Sequence, residues 1–506
     1  MPKRNDILRN ALPGLALIAA SVLPSALSPT PPSSPPGSVT VSLPATTTAA
    51  ATVRPRIFFG SLHSHTSYSD GSGTPADAFG RARDQAKMDF LAVTEHNHSE
   101  ADGTGERKDG LLIATQPDLY RGTDPASLIS AARTFTVDDK FVAIAGQEFS
   151  TISSGNHANV FDVGEVIDVA NGDYASLYDN WLPGHPDSLG APPLVQFNHP
   201  DFRQDANPNT KPKERENDYG FDDYNKDFAE LLKHAEKNVS LIELVSGPAL
   251  TKEGTNLPIK SGNRHERDYW FYLNQGFHLA PTANQDNHFI NWGTITRART
   301  AVLADRLTKA NILRALKARR VYATEDHNLQ VRFLVNGQQM GSVIRTPQAQ
   351  DLAIEVEIAD PDEPNAQYRV ELYRDEVGGE MIEGAIDESE LEGDGTVSFS
   401  GQRFESGNVF FFVKISQEGT DGREEFAWTA PVWVELGEPI PPPPEPTPTP
   451  GVTPAPAQTF VHSRNSSVFH FANCADVARI KPENRLESDV QPEDKTLHKN
   501  CPRLQR

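Results

Sequence analysis

The feature that most limits how this chain can fold is a series of short apolar runs in its first half. The runs lie at 57–59, 90–93, 141–145, 160–161, 194–197, 241–245 and 279–280. Helical patterns at 74–87 and 228–237 lie between runs, and another at 309–319 follows the last. Apolar strands that alternate with helices are typical of an α/β fold with mostly parallel strands. We therefore expect a β/α architecture over this part of the chain.

The pattern changes near residue 329, where the helical patterns stop. The runs 330–335, 352–358 and 368–373 alternate apolar and polar residues, and 409–413 is a further strand-like run. A period of two is typical of half-buried strands, so we expect an antiparallel β-sandwich ending near residue 436. The 506 residues allow roughly three domains.

The chain divides into six predicted segments. They are a signal peptide (1–27), a disordered Pro/Ser/Thr spacer (28–54), an α/β domain (55–328), a β-sandwich (329–437), a Pro-rich linker (438–458) and a small module (459–506). Lys3 and Arg4 precede an apolar run that Pro13 and Pro24 interrupt, which is typical of a secretory signal. A retained membrane anchor is the alternative, but the run is short for a spanning helix. We expect export to the periplasm or the extracellular space, without stable membrane insertion.

Composition excludes several classes of protein. The chain has 47 Lys and Arg against 69 Asp and Glu, a net charge of −22, which disfavours nucleic acid as a general partner. Its 2 Cys exclude a disulfide-built scaffold and a cysteine-rich zinc or iron–sulfur protein. The 15 His are numerous for so acidic a chain, a mixture suited to divalent metals where the two types meet.

Metal-competent side chains follow most of the apolar runs of the first domain. They are His63, His65, Asp70, Glu95, His96, Glu148, His157, His199, Asp286 and His288. Taken one at a time, each would be a structural histidine or a solvated loop acid, but their repeated position favours one shared site at the rim where strands end. His98 is expected beside the ligands or in solvent. His185, His234, His265 and His278 are not expected to be ligands, and His327 is left open.

Six imidazoles and four carboxylates exceed what one ion needs. They predict two or three divalent ions, Mn²⁺, Zn²⁺ or Fe²⁺, bridged by carboxylates. Such a centre activates water for hydrolysis. The sequence has no nucleophile-elbow serine, no dinucleotide-binding GxGxxG after a strand and no Walker pattern.

Six ordered motifs resemble the PHP (polymerase and histidinol phosphatase) superfamily, and within it the CehA/McbA-like branch. They are LHSHTSYSDG (62–71), VTEHN (93–97), GQE (146–148), GNHAN (155–159), NHP (198–200) and DNH (286–288). The resemblance implies a distorted (β/α)7 barrel, the ten residues above as metal ligands, Glu148 as the bridge, and phosphoester hydrolysis for most members. The residues expected to act in catalysis are His63, His65, Glu148, Asp286 and Arg299.

The chain departs from the family pattern at two places. Glu95 stands where the family usually has Asp, and Asn284 and Gln285 replace a small pair before Asp286. Arg297 and Arg299 are expected to clamp a substrate anion or, alternatively, to form a salt-bridged surface pair. Asn97 and Asn159 are expected to hydrogen-bond the ligating imidazoles.

The closing module resembles small Ada-type metal-binding modules. The likeness rests on 461–470, Cys474, 482–485 and Cys501, but the further cysteine common in those modules is absent. A disulfide between Cys474 and Cys501 and a zinc site completed by His470 both remain open.

These observations leave four expected functions. The first is an exported phosphoesterase that hydrolyses phosphate mono- or diesters through a metal-bridging hydroxide. A carbamate or carboxylic ester hydrolase would use the same site on another small-molecule substrate. The others are an exonuclease and a non-catalytic protein that binds a cell surface.

Overall fold

The computed structural model describes residues 54–97, 127–149, 157–170, 173–200, 233–381, 384–419, 422–438, 460–463, 466–471, 474–488 and 495–497. The predicted signal peptide lies outside them, as do the linker residues 439–458 and all of the spacer except Arg54. His98 and Cys501 also lie outside the described residues.

Strands and helices alternate up to residue 324, and the described residues from 330 to 436 then form strands without helices. The strands up to residue 324 are β1 (Arg56–Ser61), β2 (Phe90–His96), β3 (Val142–Phe149), β4 (Ala158–Phe161), β5 (Val195–Phe197), β6 (Val239–Ser246), β7 (Ala280–Asn284), β8 (Arg299–Ala304) and β9 (Val321–Thr324). Within the described ranges, the helices of eight or more residues are α1 (Pro75–Asp84), α2 (Leu128–Phe135), Glu266–Asn274 and Lys309–Lys317. Shorter helical turns are Tyr174–Ser176, Leu177–Trp181, Leu182–Gly184 and Ser261–Asn263.

The later strands lie mostly antiparallel to their neighbours. They are β10 (Gln330–Val335), β11 (Gln338–Gln339), β12 (Val343–Thr346), β13 (Gln350–Asp351), β14 (Ile354–Ala359), β15 (Gln367–Glu376), β16 (Asp387–Glu392), β17 (Gly395–Phe399), β18 (Arg403–Phe404), β19 (Asn408–Glu418), β20 (Glu424–Thr429) and β21 (Val432–Leu436). One small sheet has the order β11-β10-β14-β17, and β13 pairs with β18. On β10 and β14 buried residues alternate with more exposed ones, as expected for strands with one face on a core.

The predicted (β/α)7 barrel is wrong. The main sheet is a mixed one with the strand order β12-β21-β19-β20-β9-β8-β1-β2-β3-β4-β5-β6-β7. β4 runs antiparallel to both β3 and β5, and β8 runs antiparallel to β1. Only residues 150–157 connect β3 to β4. A parallel pair needs a crossover of a dozen or more residues, so this connection allows β4 only to fold back.

The predicted antiparallel sandwich also needs correction, because it is not separate from the sheet before it. β20 pairs with β9, which joins the strands after residue 400 to the main sheet. Alternate side chains of β2 pack in two different cores: Phe90 in the core that contains Phe333, and Leu91 in the core that contains Trp428. Both hydrophobic cores therefore contain residues from before and after residue 329.

A small sheet closes the described chain. Its strands, in the order β24-β22-β23-β25, are β22 (Phe460–Ser463), β23 (Val468–Phe471), β24 (Arg485–Ser488) and β25 (Thr496–Leu497). Ala475–Arg479 and Pro482–Asn484 are short helical turns. Cys474 is disulfide-bonded and packs against Val461 and Val477. Since the thiol is oxidised, the disulfide alternative is favoured over a zinc site at Cys474. None of the helices in the described ranges has the length and apolar character needed to cross a membrane.

Candidate metal centre

The segment after β1 carries His63 and His65 into the space between β2 and β7. The Thr94 amide donates to the Ser64 carbonyl over 2.8 Å, and the His65 amide donates to the Asn287 carbonyl over 2.7 Å. Ser64 lies between the two histidines, and its hydroxyl donates to the Ala92 carbonyl. These bonds fix the backbone of the segment to its neighbours on both sides. The Ser64 side chain points to one face of the segment, and both imidazoles lie on the other face and point inward.

Glu148, at the end of β3, is the centre of the arrangement. Its Oε2 lies 3.2 Å from His63 Nε2, 3.0 Å from His65 Nε2 and 3.1 Å from His96 Nδ1. Its Oε1 lies 2.9 Å from His157 Nδ1 and 3.2 Å from His199 Nε2. One buried carboxylate therefore faces five imidazoles that come from four segments of the chain.

Two aspartates extend this centre on either side of His65. Asp286 Oδ1 lies 3.2 Å from both His63 Nε2 and His65 Nε2. Asp70 Oδ2 lies 3.3 Å from His288 Nε2, and Asp70 Oδ1 lies 3.9 Å from His65 Nδ1. His65 therefore belongs to groups with both aspartates.

Four overlapping groups could each hold a metal ion. They are His65, Asp70, His96 and His288; His63, His65 and Asp286; His63, Glu148 and His199; and His96, Glu148 and His157. We call these nine residues together the Glu148 centre. Because the groups share ligands, they suit closely spaced ions bridged by carboxylates better than isolated ions.

Buried opposite charges dominate the electrostatics of the centre. Burial lowers the pKa of His65, but the neighbouring carboxylates of Asp286 and Glu148 outweigh it and raise the pKa to about 10. The pKa of His63 is also raised, since Asp286, Glu148 and Glu243 outweigh the effect of its burial. Burial lowers the pKa of His96 to about 3. Burial opposes ionisation of Glu148, but the surrounding histidines hold its pKa well below the usual range.

The donor atoms fit metal ions better than they fit one another. His63 Nε2 and His65 Nε2 lie 3.1 Å apart, which leaves room for one proton between two nitrogens that each also face a carboxylate. Buried Asp286 Oδ1 and His157 Nδ1 make no hydrogen bond with the described residues. Asp286 and His199 also have positive φ, 48° and 26°, a backbone conformation that is uncommon for residues other than glycine. Nitrogen and oxygen donors without thiolate suit Zn²⁺, Mn²⁺ or Fe²⁺.

Glu95 is the one predicted ligand that lies outside the four groups. Its carboxylate accepts hydrogen bonds from the Thr66 amide over 3.0 Å, from the Thr66 hydroxyl and from the Ser69 hydroxyl. Burial raises the pKa of Glu95. Through these hydrogen bonds Glu95 anchors the loop that carries Asp70.

The predicted arginine clamp is not formed in the structure. Arg299 is 5% exposed and donates to the carbonyls of Gly293, Thr296 and Ala298. Arg297 pairs with Asp326 and with Glu425, whose carboxylate oxygen lies 3.3 Å away. Backbone carbonyls and structural carboxylates thus occupy both guanidinium groups.

The two asparagines predicted to support imidazoles bond elsewhere. Asn97 Nδ2 donates to the Ile167 carbonyl over 3.3 Å, and Asn159 Nδ2 donates to the Leu62 carbonyl over 3.1 Å. Asn159 therefore supports the segment just before His63 rather than an imidazole ring.

Two residues outside the predicted set hold ligands in place. Buried Glu243 on β6 has its Oε1 2.9 Å from His63 Nδ1, and its Oε2 accepts from the His199 amide over 2.7 Å. Asn198 Nδ2 donates to Glu148 Oε1 over 2.8 Å. The sequence feature that could have indicated Glu243 is its position as a single acidic residue inside the apolar run 241–245.

A cavity of about 470 Å³ opens onto the centre. Ligand side chains form one wall, and Ser246, Gly247, Leu250, Asn263 and His265 line the rest. His265, which was not expected to be a ligand, therefore faces this cavity.

Comparisons with known proteins do not assign a family. No protein-family model matches the chain. An uncharacterised protein of Chlamydia pneumoniae is 26% identical over 146 residues, which are 27% of this chain and 22% of that protein. The crystal structure of the PmoD soluble domain from Methylocystis matches 21% of this chain and 90% of that domain, with 11% identity and a TM-score of 0.15. The chain thus matches only a minor part of its curated relative.

Proposed function

We propose that the protein is a metal-dependent hydrolase that cleaves phosphate mono- or diesters at the Glu148 centre with two or three divalent ions. The observation that carries the metal-dependent part is the position of Glu148, whose two oxygens face five imidazoles at 2.9–3.2 Å. The motif resemblance to the PHP superfamily supports phosphoesters as the substrate class. We also propose, from the amino-terminal pattern, that the protein is exported.

The residues that would hold the ions are those of the four groups. Bound divalent ions would lower the pKa of water and take up negative charge that develops on a phosphoryl oxygen. Glu148, facing ligands of two groups, would keep the ions at a short separation.

The surrounding side chains set the direction of the ligand lone pairs. Glu243 accepts from His63 Nδ1 when that nitrogen carries the proton, which leaves Nε2 as the donor atom toward Glu148. His288 Nδ1 lies 2.8 Å from the Asp286 carbonyl, so its Nε2 is directed to Asp70. These contacts preorganise the centre before a substrate enters the cavity.

The first test compares metal content and hydrolysis in the full chain. Wild type, His63→Ala, Glu148→Gln and the control His185→Ala are assayed with bis(p-nitrophenyl) phosphate and p-nitrophenyl phosphate. His185 is a suitable control because its ring stacks on Trp181, at 4.1 Å between ring centres, and lies outside the centre. We expect two or three ions per chain in wild type and His185→Ala, and loss of both metal and turnover in the other two variants.

The same panel separates the other expected functions. It includes p-nitrophenyl acetate, a carbamate and single-stranded DNA. Turnover of the acetate or carbamate without either phosphate would replace the phosphoesterase proposal by a carboxylic ester or carbamate hydrolase. A wild-type protein without bound metal and without turnover would leave a binding protein as the better explanation.

A further inference from the structure

A second group of carboxylates lies outside the Glu148 centre. Asp326 follows β9, and Asp360 and Glu363 lie between β14 and β15. One oxygen of each lies within 4.8 Å of an oxygen of the other two. The residues are 1%, 0% and 8% exposed. Carboxylates this close and this buried repel one another unless positive charge lies among them.

The protein itself supplies only part of that charge among the described residues. Arg297 pairs with Asp326 and lies 3.6 Å from Glu363 Oε1, but it also pairs with Glu425. Backbone amides satisfy one oxygen of each aspartate: those of 362 and 363 donate to Asp360 Oδ1, and those of 328 and 329 donate to Asp326 Oδ1. Arg297 thus faces three carboxylates, and His327, whose Nδ1 lies 3.6 Å from Asp326 Oδ2, adds a second positive charge beside Asp326 when it is protonated.

Three buried oxygens at this place make no hydrogen bond with the described residues. They are Asp360 Oδ2, Gln417 Oε1 and Tyr368 Oη. Gln417 is 3% exposed, and its Nε2 lies 3.4 Å from Glu363 Oε2, which brings its amide to the carboxylates. Tyr368 is 2% exposed and lies directly opposite Gln417 in the pairing of β15 with β19, so the two side chains share one face of the sheet. Buried polar atoms of this kind normally have a partner.

We propose that Asp326, Asp360 and Glu363 form a Ca²⁺ site, with Gln417 Oε1 and Tyr368 Oη as further oxygen donors. All the donors are oxygens, the ligand type that Ca²⁺ prefers, and Ca²⁺ accepts irregular geometry more readily than Mg²⁺. The donors come from the end of β9, the segment before β15, β15 and β19. The ion would therefore stabilise the junction between the first nine strands and the sheets that follow, a role independent of the Glu148 centre.

Calcium titration of the full chain tests this site. The variants are Asp360→Asn and Glu363→Gln in the site, Asp362→Asn as a control in the same segment, and His63→Ala in the Glu148 centre. Asp362 is a matched control because its side chain is 59% exposed and does not belong to the group. Binding is measured by calorimetry and by the midpoint of thermal unfolding, and circular dichroism checks that each variant is folded.

We expect Ca²⁺ at about 1 mM to raise the unfolding midpoint of wild type, Asp362→Asn and His63→Ala by about 3–5 °C. The rise should disappear in Asp360→Asn and Glu363→Gln. Equal Ca²⁺ binding in wild type and both site variants would overturn the proposal, as would its loss in His63→Ala alone. If Asp360→Asn does not fold, Glu363→Gln and Tyr368→Phe still decide the question, since Tyr368→Phe should weaken Ca²⁺ binding several-fold without abolishing it.

Discussion

The Nδ1 atom of His63 lies 2.9 Å from Oε1 of Glu243, and both side chains are fully buried. The other carboxylate oxygen of Glu243 accepts from the His199 amide, so one acid orients two candidate ligands from different segments. Carboxylates in this position fix the tautomer of a ligating histidine and raise its basicity.

Replacement of Glu243 by Gln should therefore weaken metal binding without removing a ligand. We expect a loss of about 10–100-fold in metal affinity and in kcat/KM. Metal titration and steady-state kinetics measure the two losses. Glu253→Gln, at an exposed position, is the control. An unchanged affinity in Glu243→Gln would contradict the orienting role.

Replacement of Glu95 tests whether its carboxylate anchors the loop or binds a metal ion. Its carboxylate accepts from the amide and hydroxyl of Thr66. If it only anchors the loop, Glu95→Gln and Thr66→Val should both retain the wild-type number of ions and both lower the affinity. Elemental analysis of the purified variants gives that number. Loss of one ion in Glu95→Gln, with none lost in Thr66→Val, would show that Glu95 is a ligand.

Metal affinity should rise with pH, because binding must displace protons from the centre. The pKa of His65 is raised to about 10 in the metal-free protein, since carboxylates outweigh the effect of burial. The proton stabilises the metal-free fold below the unfolded pKa of about 6.5, and this contribution is lost as the pH rises through about 10. Metal therefore competes with the His65 proton over this whole range.

The measurement is the Kd for Zn²⁺ by competition with a chelator between about pH 6 and pH 9. We expect a steadily falling Kd in wild type and a shallower slope in His65→Ala. His96, whose pKa burial lowers to about 3, holds no proton to displace. His96→Ala should therefore weaken binding and keep the wild-type slope. Equal slopes in wild type and His65→Ala would contradict the assignment.

Gly71 is needed where the Asp70 loop passes the backbone of His65. A Cβ atom at Gly71 would lie 2.8 Å from the carbonyl carbon of His65 and 2.8 Å from the amide nitrogen of Thr66. Gly71→Ala should displace Asp70 and lower metal affinity about tenfold or more, while the unfolding midpoint falls little because neither Asp70 nor Gly71 belongs to a hydrophobic core. Gly164→Ala is the control, since a Cβ there meets nothing within 4 Å. Equal metal affinity in both variants would contradict this reading.

Much of the centre could be predicted from local sequence. His63 and His65 are one residue apart after a strand, so their rings share a side of the chain whatever the sheet around them. The structure brings nine of the ten predicted ligands into the four groups. The tenth, Glu95, lies within hydrogen-bond reach of Thr66, a contact between residues 29 apart that no spacing rule contains.

The apolar runs alone could neither establish nor exclude the barrel, because an apolar run does not show whether its strand lies parallel or antiparallel to its neighbours. β4 reverses because the connection before it is short, and β9 joins β20, more than 100 residues later, because both cores continue across that pair. Arg299 likewise looks like a substrate clamp in the sequence, yet the turn at 293–298 offers its guanidinium three carbonyls.

The sequence by itself determined which side chains are available for metal binding and that they follow the strand-like runs. Period and adjacency are local properties, and a single chain displays them directly. Only the tertiary structure decided that Glu148 stands among five imidazoles, that Glu243 supports His63, and that Asp326 meets Asp360. Those contacts join distant segments, and packing of the two shared cores sets their distances.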